Sequence, residues 1–142
     1  MQRRSEEPLS DPQYTGELKF LTVGRASEEK GYDIAVQITA ELKKRGLRFK
    51  WFIIGDGRDL NKLRTMAKEY QVEQEIIFLG MRENPAPYVK SCDLYLQPSR
   101  HEGYPITIVE ARSLQKVIIA SDIPSMREQI RDGEKDISVR WM

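Results

Sequence analysis

Two glutamates stand on either side of the start of an apolar segment, in the stretch SRHEGYPITIVEA at residues 99–111. Glu102 precedes this segment, and Glu110 lies within it between Val109 and Ala111. A carboxylate accepts two hydrogen bonds at once and is rarely left among apolar neighbours without a partner. The pair therefore predicts a site that grips the hydroxyl groups of one bound molecule, such as a sugar. The structural alternatives are a helix-cap acid for Glu102 and a surface side chain for Glu110.

Two cations follow an earlier apolar run, in the stretch GRASEEKG at residues 24–31. Arg25 leaves the end of that run and Lys30 opens the next segment. A diphosphate is bound by cations on flexible stems together with backbone N–H groups, and each charge-assisted bond contributes about 1.5–3 kcal/mol. The alternative is a pair of solvated cations whose charge Glu28 and Glu29 balance.

A helix start at Gly103-Tyr104-Pro105 supplies a second feature that favours an anion. Gly103 permits backbone angles that other residues resist, and Pro105 suits the first helical position. Free N–H groups at a helix start, with the helix dipole, attract phosphate. The alternative is an ordinary loop-to-helix cap.

Three further features carry weaker signals. Gly55-Asp56-Gly57 begins like a dinucleotide-binding fingerprint, but Leu60 stands where the third glycine belongs, so a turn is favoured. His101 is the only histidine, and without a serine or cysteine nucleophile pattern it gives no catalytic triad. Arg82 follows the third apolar run, where a base or a second phosphate could reach it.

The composition limits the class of protein. A chain of 142 residues corresponds to one domain, and 23 Lys and Arg against 22 Asp and Glu give no basic field for nucleic acid. Cys92 is the only cysteine, which excludes an internal disulfide. The apolar runs are far shorter than a bilayer span, and no apolar stretch follows the charged first residues, so no signal peptide is expected. We expect a cytoplasmic protein.

The order of elements predicts the fold class. Residues 1–16 are polar and contain two prolines, which predicts a tail or linker. From residue 17 onward, short apolar runs alternate with segments of helical period. The predicted strands are 18–23, 49–54, 75–79, 93–97, 117–120 and 137–139, and the later predicted helices are 87–91, 105–115 and 124–130. This alternation predicts an α/β fold, a doubly wound, Rossmann-like parallel sheet of about six strands with helices on both faces.

A strand order of 3-2-1-4-5-6 would make the first and fourth strands neighbours. Ligands bind outside the carboxyl ends of the strands at this point of reversal. The segments that follow these two strands are residues 24–31 and 98–105. They are the most polar strand exits in the chain, a strand exit being the segment that directly follows a strand. We therefore expect both segments to border one cleft.

Taken together, these features resemble the donor-binding half of the family 4 (group 1) retaining glycosyltransferases, which have the two-domain GT-B fold. The resemblance covers residues 17–139. The matching motifs are VGR at 23–25, EKG at 29–31, GDG at 55–57, PS-x2-EG at 98–103 and the final Glu110-Ala111 of an E-x7-E element. The resemblance implies a nucleotide-sugar donor-binding domain over residues 17–142, without the acceptor-binding half and without the closing carboxyl-terminal helix.

The resemblance also implies roles for individual residues. Catalytic roles fall to Glu102, Arg25 and Lys30: the two cations bind the diphosphate, and Glu102 binds the transferred sugar. Glu110 binds the ribose hydroxyls. The other donor-binding residues that it implies are Gly24, Arg82, Ser99, Gly103, Tyr104, Pro105 and Ile106.

The implied partners are a nucleoside-diphosphate sugar and an acceptor-binding domain or subunit. No dedicated metal or other cofactor is expected, because cations and helix starts stabilise the departing diphosphate. The resemblance allows peripheral contact of the complete enzyme with the inner face of a membrane, through the missing half. We expect this chain alone to bind nucleotide weakly and to transfer little sugar. Two alternatives stay open: a non-catalytic partner module of the same fold, and a nicotinamide-dependent enzyme that uses the Gly55–Gly57 turn.

Overall fold

The computed structural model describes residues 9–102, 106–129 and 139–141. Within these ranges, six parallel strands form one sheet in the order β3-β2-β1-β4-β5-β6. The strands are β1 (Lys19–Val23), β2 (Lys50–Ile54), β3 (Ile76–Gly80), β4 (Leu94–Gln97), β5 (Val117–Ala120) and β6 (Val139–Trp141). This arrangement confirms the predicted fold class and strand order, with β1 and β4 at the centre.

Helices cover both faces of the sheet. They are α1 (Tyr32–Lys44), α2 (Leu60–Glu69), α3 (Ala86–Ser91), α4 (Ile106–Ser113) and α5 (Pro124–Gln129), and one 3₁₀ turn (Glu28–Lys30) precedes α1. Buried residues of α1 and α2 pack with one set of strand side chains, and those of α3, α4 and α5 pack with the other set. Because side chains alternate along a strand, the two cores are separate, one on each face.

The strands are apolar along almost their whole length because helices bury both of their faces. The main buried polar group of β1 is Thr22, which is satisfied within the core. Its hydroxyl accepts a hydrogen bond from Trp51 Nε1 at 3.0 Å and donates to the Leu96 carbonyl at 2.6 Å. This bridge links β2, β1 and β4 across the middle of the sheet.

The last strand differs from the prediction. It was expected at 137–139 and lies at Val139–Trp141, and residues 130–138 fall outside the described ranges. The apolar side chains in this region give a short and ambiguous pattern, so neighbouring registers are hard to distinguish from sequence. Cys92 packs in the core and is 2% exposed.

The packed unit begins earlier than predicted. Residues 9–16 were assigned to a tail or linker, but Tyr14 is buried at 6% exposure. Its ring lies 4.6 Å from that of Phe52 and 5.0 Å from that of Tyr88, and its hydroxyl donates to the Tyr88 carbonyl at 2.9 Å. The prolines and polar residues around Tyr14 gave no periodic pattern, and a single aromatic anchor carries no period to detect.

Among the described helices, none has the length and apolar character that crossing a bilayer requires.

Candidate functional site

The segments that follow β1 and β4 are in direct contact. The sequence predicted that they would meet at one cleft, but among the described residues of the second segment, 98–102, none lines the cleft described below. Gly31 has φ +69, and a β-carbon at this position would lie 2.0 Å from the carbonyl oxygen of Pro98. The backbone N–H of Arg100 donates to the Glu29 carbonyl at 2.8 Å. The lack of a side chain at Gly31 is therefore what lets the two strand exits meet.

Lys30 and Glu102 form an ion pair at this junction. Lys30 Nζ lies 2.7 Å from Glu102 Oε1, and the Glu102 side chain is only 7% exposed. Glu102 Oε2 accepts hydrogen bonds from Ser99 Oγ at 2.8 Å and from Gln97 Nε2 at 3.2 Å. Both carboxylate oxygens thus have protein partners, so Glu102 fixes the position of the Lys30 ammonium group, a role that the sequence analysis did not predict.

A cleft of about 540 Å³ opens beside this pair, at the carboxyl ends of β1, β2 and β3. The residues that line it are Val23, Gly24, Arg25, Ile54, Gly55, Asp56, Gly57, Met81, Arg82 and Pro85. It lies at the edge of the sheet where ligands bind in doubly wound folds. Its volume is within the range of small-molecule sites.

Gly24 joins the cleft to the ion pair. It lines the cleft, and a β-carbon on it would lie 3.3 Å from Lys30 Cε, so the lysine stem runs alongside. The carbonyl of Gly24 accepts a hydrogen bond from the buried Tyr32 hydroxyl at 2.8 Å; burial, together with the nearby Tyr95 and Glu102, raises the pKa of Tyr32. Arg25 is exposed and lines the same cleft. One predicted cation therefore lines the cleft, and the other lies beside it.

The GDG turn has a larger part in the site than the sequence predicted. It ends β2 as expected, and the backbone N–H of Ala26 donates to the Asp56 carbonyl at 3.0 Å. A β-carbon on Gly55 would lie 1.8 Å from the Gly24 carbonyl oxygen. The turn thus packs against the exit of β1 and forms one wall of the cleft. The rule that ligands bind at carboxyl strand ends could have identified it, together with Met81 and Pro85 after β3.

The interpretation of Arg82 needs correction. It lines the cleft, but its guanidinium is engaged within the protein, so it is not available as a free cation for a base or phosphate. Nε donates to Asp11 Oδ2 at 3.1 Å and to the Tyr88 hydroxyl at 3.2 Å, and Nη1 donates to the Leu79 carbonyl at 2.6 Å. Asp11, the charged partner, lies 71 residues away in sequence, which is why the local sequence did not reveal this pairing.

The other predicted site residues have mixed outcomes. Ser99 is buried and bonds to Glu102. Gly103, Tyr104 and Pro105 fall outside the described residues, and Ile106 is the first residue of α4. Glu110 lies in the second turn of α4 and is partly buried, but it is not among the residues that line the cleft. Its predicted pairing with Glu102 around one ligand stays a prediction.

Comparison with known proteins decides the family. The profile of the family described as glycosyl transferases group 1 matches residues 4–140. The chain belongs to this family. An uncharacterized glycosyltransferase of Methanocaldococcus jannaschii is 30% identical over 142 residues, covering 97% of this chain and 35% of the relative. An O-antigen biosynthesis glycosyltransferase of Escherichia coli, WclY, is 27% identical over 99 residues, covering 70% of this chain and 27% of the relative.

Solved structures of glycosyltransferases share the fold. The pneumococcal O-GlcNAc transferase GtfA, in a crystal structure with UDP and GlcNAc, superposes with a TM-score of 0.70 at 27% identity. This superposition covers 75% of the group 1 chain described here and 21% of GtfA. The chain spans about a third of the length of the curated relatives that it matches.

Proposed function

We propose that this chain is the donor-binding domain of a retaining glycosyltransferase that moves a sugar from a nucleoside diphosphate to a hydroxyl acceptor. The observation that carries this proposal is the cleft at the carboxyl ends of β1, β2 and β3, next to the Lys30–Glu102 ion pair that joins the segments after β1 and β4. Membership of the group 1 family supports it. The related GtfA, which was crystallised with UDP, supports a nucleoside diphosphate as the ligand.

In this proposal, the diphosphate lies at Arg25 and Lys30. Both cations follow β1: Arg25 is the next residue after Gly24, and Lys30 Cε would lie 3.3 Å from a β-carbon on Gly24. The nucleoside extends into the cleft, between the Gly55–Gly57 turn and the segment 81–85. The wall at Met81 is apolar and that residue is 71% exposed, which suits contact with the face of a base. Glu110 does not line this cleft, and its assignment to the ribose hydroxyls rests on the family resemblance alone.

The proposed reaction breaks the bond between the anomeric carbon and the diphosphate oxygen. The acceptor hydroxyl forms a new bond to that carbon on the same face, and its proton passes to the departing diphosphate. Negative charge grows on the departing diphosphate, where preorganised cations stabilise the transition state most effectively. Arg25 and Lys30 supply the positive charge that stabilises the departing diphosphate, without a dedicated metal. Glu102 holds Lys30 in the required orientation.

We further propose that an acceptor-binding half, as in the GT-B fold, completes the enzyme. The chain covers only about a third of its relatives, and a donor domain alone cannot position an acceptor or exclude water. We therefore expect nucleotide binding with little transfer from this chain. The name of WclY favours polysaccharide or glycoconjugate biosynthesis as the setting. We place the complete enzyme in the cytoplasm or at the inner face of the membrane.

Titration of the chain with UDP and GDP, followed by calorimetry and by backbone amide NMR, tests the proposal. We expect one of the two nucleotides to bind and to shift the amides of residues 24–31. Arg25→Ala should weaken binding about tenfold, because it removes one charge-assisted contact. Arg48→Ala is the matched control, since it removes one exposed cation at the amino end of β2, away from the cleft.

The outcomes separate the alternatives. Equal binding by the Arg25→Ala and Arg48→Ala variants would contradict the assignment of the diphosphate site. Absence of binding by any nucleotide would favour the non-catalytic partner module, and binding of NADH in place of UDP and GDP would favour the nicotinamide-dependent enzyme.

A further inference from the structure

The segment before β1 reaches across the sheet to the loop that forms one wall of the cleft. Asp11 and Arg82 are 71 residues apart in sequence, and Asp11 Oδ2 lies 3.1 Å from Arg82 Nε. The same carboxylate oxygen accepts a hydrogen bond from the Tyr88 hydroxyl at 2.6 Å. Gln13 adds a third contact, because its Oε1 accepts from Arg82 Nη2 at 3.1 Å. The segment 9–16 is thus attached to Arg82 by polar side chains, in addition to the packing of Tyr14 against Phe52 and Tyr88.

This contact is partly shielded from water. The Asp11 side chain is 12% exposed and that of Arg82 is 26% exposed. Burial raises the pKa of Asp11, but hydrogen bonds from Tyr88, from the Gln13 backbone and from Arg82 together outweigh it, so that the pKa lies below its ordinary value. Asp11 is therefore charged at neutral pH, as a charge-assisted bond to arginine requires.

Arg82 in turn holds the loop after β3. Its Nη1 donates to the carbonyls of Leu79 and Met81, at 2.6 and 3.1 Å. These bonds fix the backbone at the point where Met81, Arg82 and Pro85 form the cleft wall. The position of this loop therefore depends in part on how Arg82 is oriented.

We propose that Asp11 is a positioning residue for the nucleoside part of the donor site, acting through Arg82 on the loop that carries Met81. The proposal rests on the proposed function, because the cleft wall matters only if a nucleoside lies against it. Asp11 does not touch the ligand. It fixes the guanidinium, the guanidinium fixes the loop carbonyls, and the loop presents its apolar wall to the base.

The test compares Asp11→Asn with Glu41→Gln. Each replaces an acid paired with arginine by its amide, and Glu41 bonds to Arg45 at 3.0 Å on the exposed face of α1, away from the cleft. We expect Asp11→Asn to weaken UDP binding about tenfold and Glu41→Gln to leave it within twofold. Inorganic pyrophosphate, which lacks a nucleoside, should bind the Asp11→Asn and unaltered chains equally well, because Arg25 and Lys30 are intact.

Two further measurements separate positioning from general destabilisation. If Asp11 acts through Arg82, the double variant Asp11→Asn/Arg82→Gln should bind UDP no more weakly than Arg82→Gln alone. Hydrogen–deuterium exchange of residues 80–85 without ligand should be about tenfold faster in Asp11→Asn than in Glu41→Gln. Tyr88→Phe, which removes the 2.6 Å contact to Asp11 and the 3.2 Å contact from Arg82 Nε but keeps the Asp11–Arg82 ion pair, should give a smaller effect of the same kind if Asp11→Asn fails to fold.

Two results would overturn this inference and leave the proposed function intact. One is equal UDP affinity of Asp11→Asn and Glu41→Gln, and the other is a parallel loss of UDP and pyrophosphate binding by Asp11→Asn. Absence of UDP and pyrophosphate binding by the unaltered chain would overturn the proposed function and this inference together.

Discussion

Replacing Gly55 by alanine should distort the site at its narrowest backbone contact. A β-carbon at this position would lie 1.8 Å from the Gly24 carbonyl oxygen and 2.7 Å from the Gly24 carbonyl carbon, where real contacts stay above 3.0 Å. Backbone atoms on both sides would have to separate by about 1 Å, the distance by which alanine fails to fit. Gly55 also has φ +148, which alanine adopts only under strain.

The expected cost follows from these two effects. An unfavourable backbone angle costs about 1–3 kcal/mol, and overpacking a closed contact costs about 1–3 kcal/mol more. The free energy of unfolding should therefore fall by about 2–6 kcal/mol, out of the roughly 5–15 kcal/mol of an ordinary domain. Because Gly24 and Arg25 must move, UDP affinity should fall as well.

Gly46→Ala is the matched control. Gly46 has φ +86, but nothing lies within 4 Å of its added β-carbon, so only the backbone strain applies. Urea denaturation of both variants, monitored by circular dichroism, gives the two free energies of unfolding. Gly55→Ala should be the less stable variant by at least about 1 kcal/mol, which is the minimum for the overpacking. A difference below about 0.5 kcal/mol would refute the close approach of the β1 and β2 exits.

Two further predictions concern the core. Tyr14→Ala should lower the free energy of unfolding by about 3–5 kcal/mol, as for other buried aromatic residues. Tyr14→Phe should lower it by only about 1 kcal/mol, because it removes the hydrogen bond to Tyr88 and keeps the ring. Equal effects of the two variants in urea denaturation would show that the ring does not anchor the segment 9–16. Burial raises the pKa of the Cys92 thiol to about 11. At pH 8 a disulfide reagent should therefore label the native chain far more slowly than the chain in 6 M urea. Equal labelling rates would contradict the buried position of Cys92.

The fold and the meeting of two strand exits could be predicted because both depend on local patterns. Strand-sized apolar runs alternate with helical periods, and the polar exits at 24–31 and 98–105 follow from a rule about sheet edges. The partners of individual side chains could not be predicted in this way. Glu102 bonds to Lys30, 72 residues away, and Arg82 bonds to Asp11, 71 residues away. A charged residue in sequence does not reveal whether a distant partner or a ligand satisfies it.

The central position of β1 has a consequence for how the chain acquires its site. Phe20 pairs with Leu94, so β1 cannot pair with β4 until the ribosome has added more than 70 further residues. Closing so long a loop is slow and entropically costly. Meanwhile β1, β2 and β3 can associate, and they leave the second edge of β1 unpaired and prone to join the wrong strand. The junction of the segments after β1 and β4, where Lys30 pairs with Glu102, is thus one of the last features to form during synthesis.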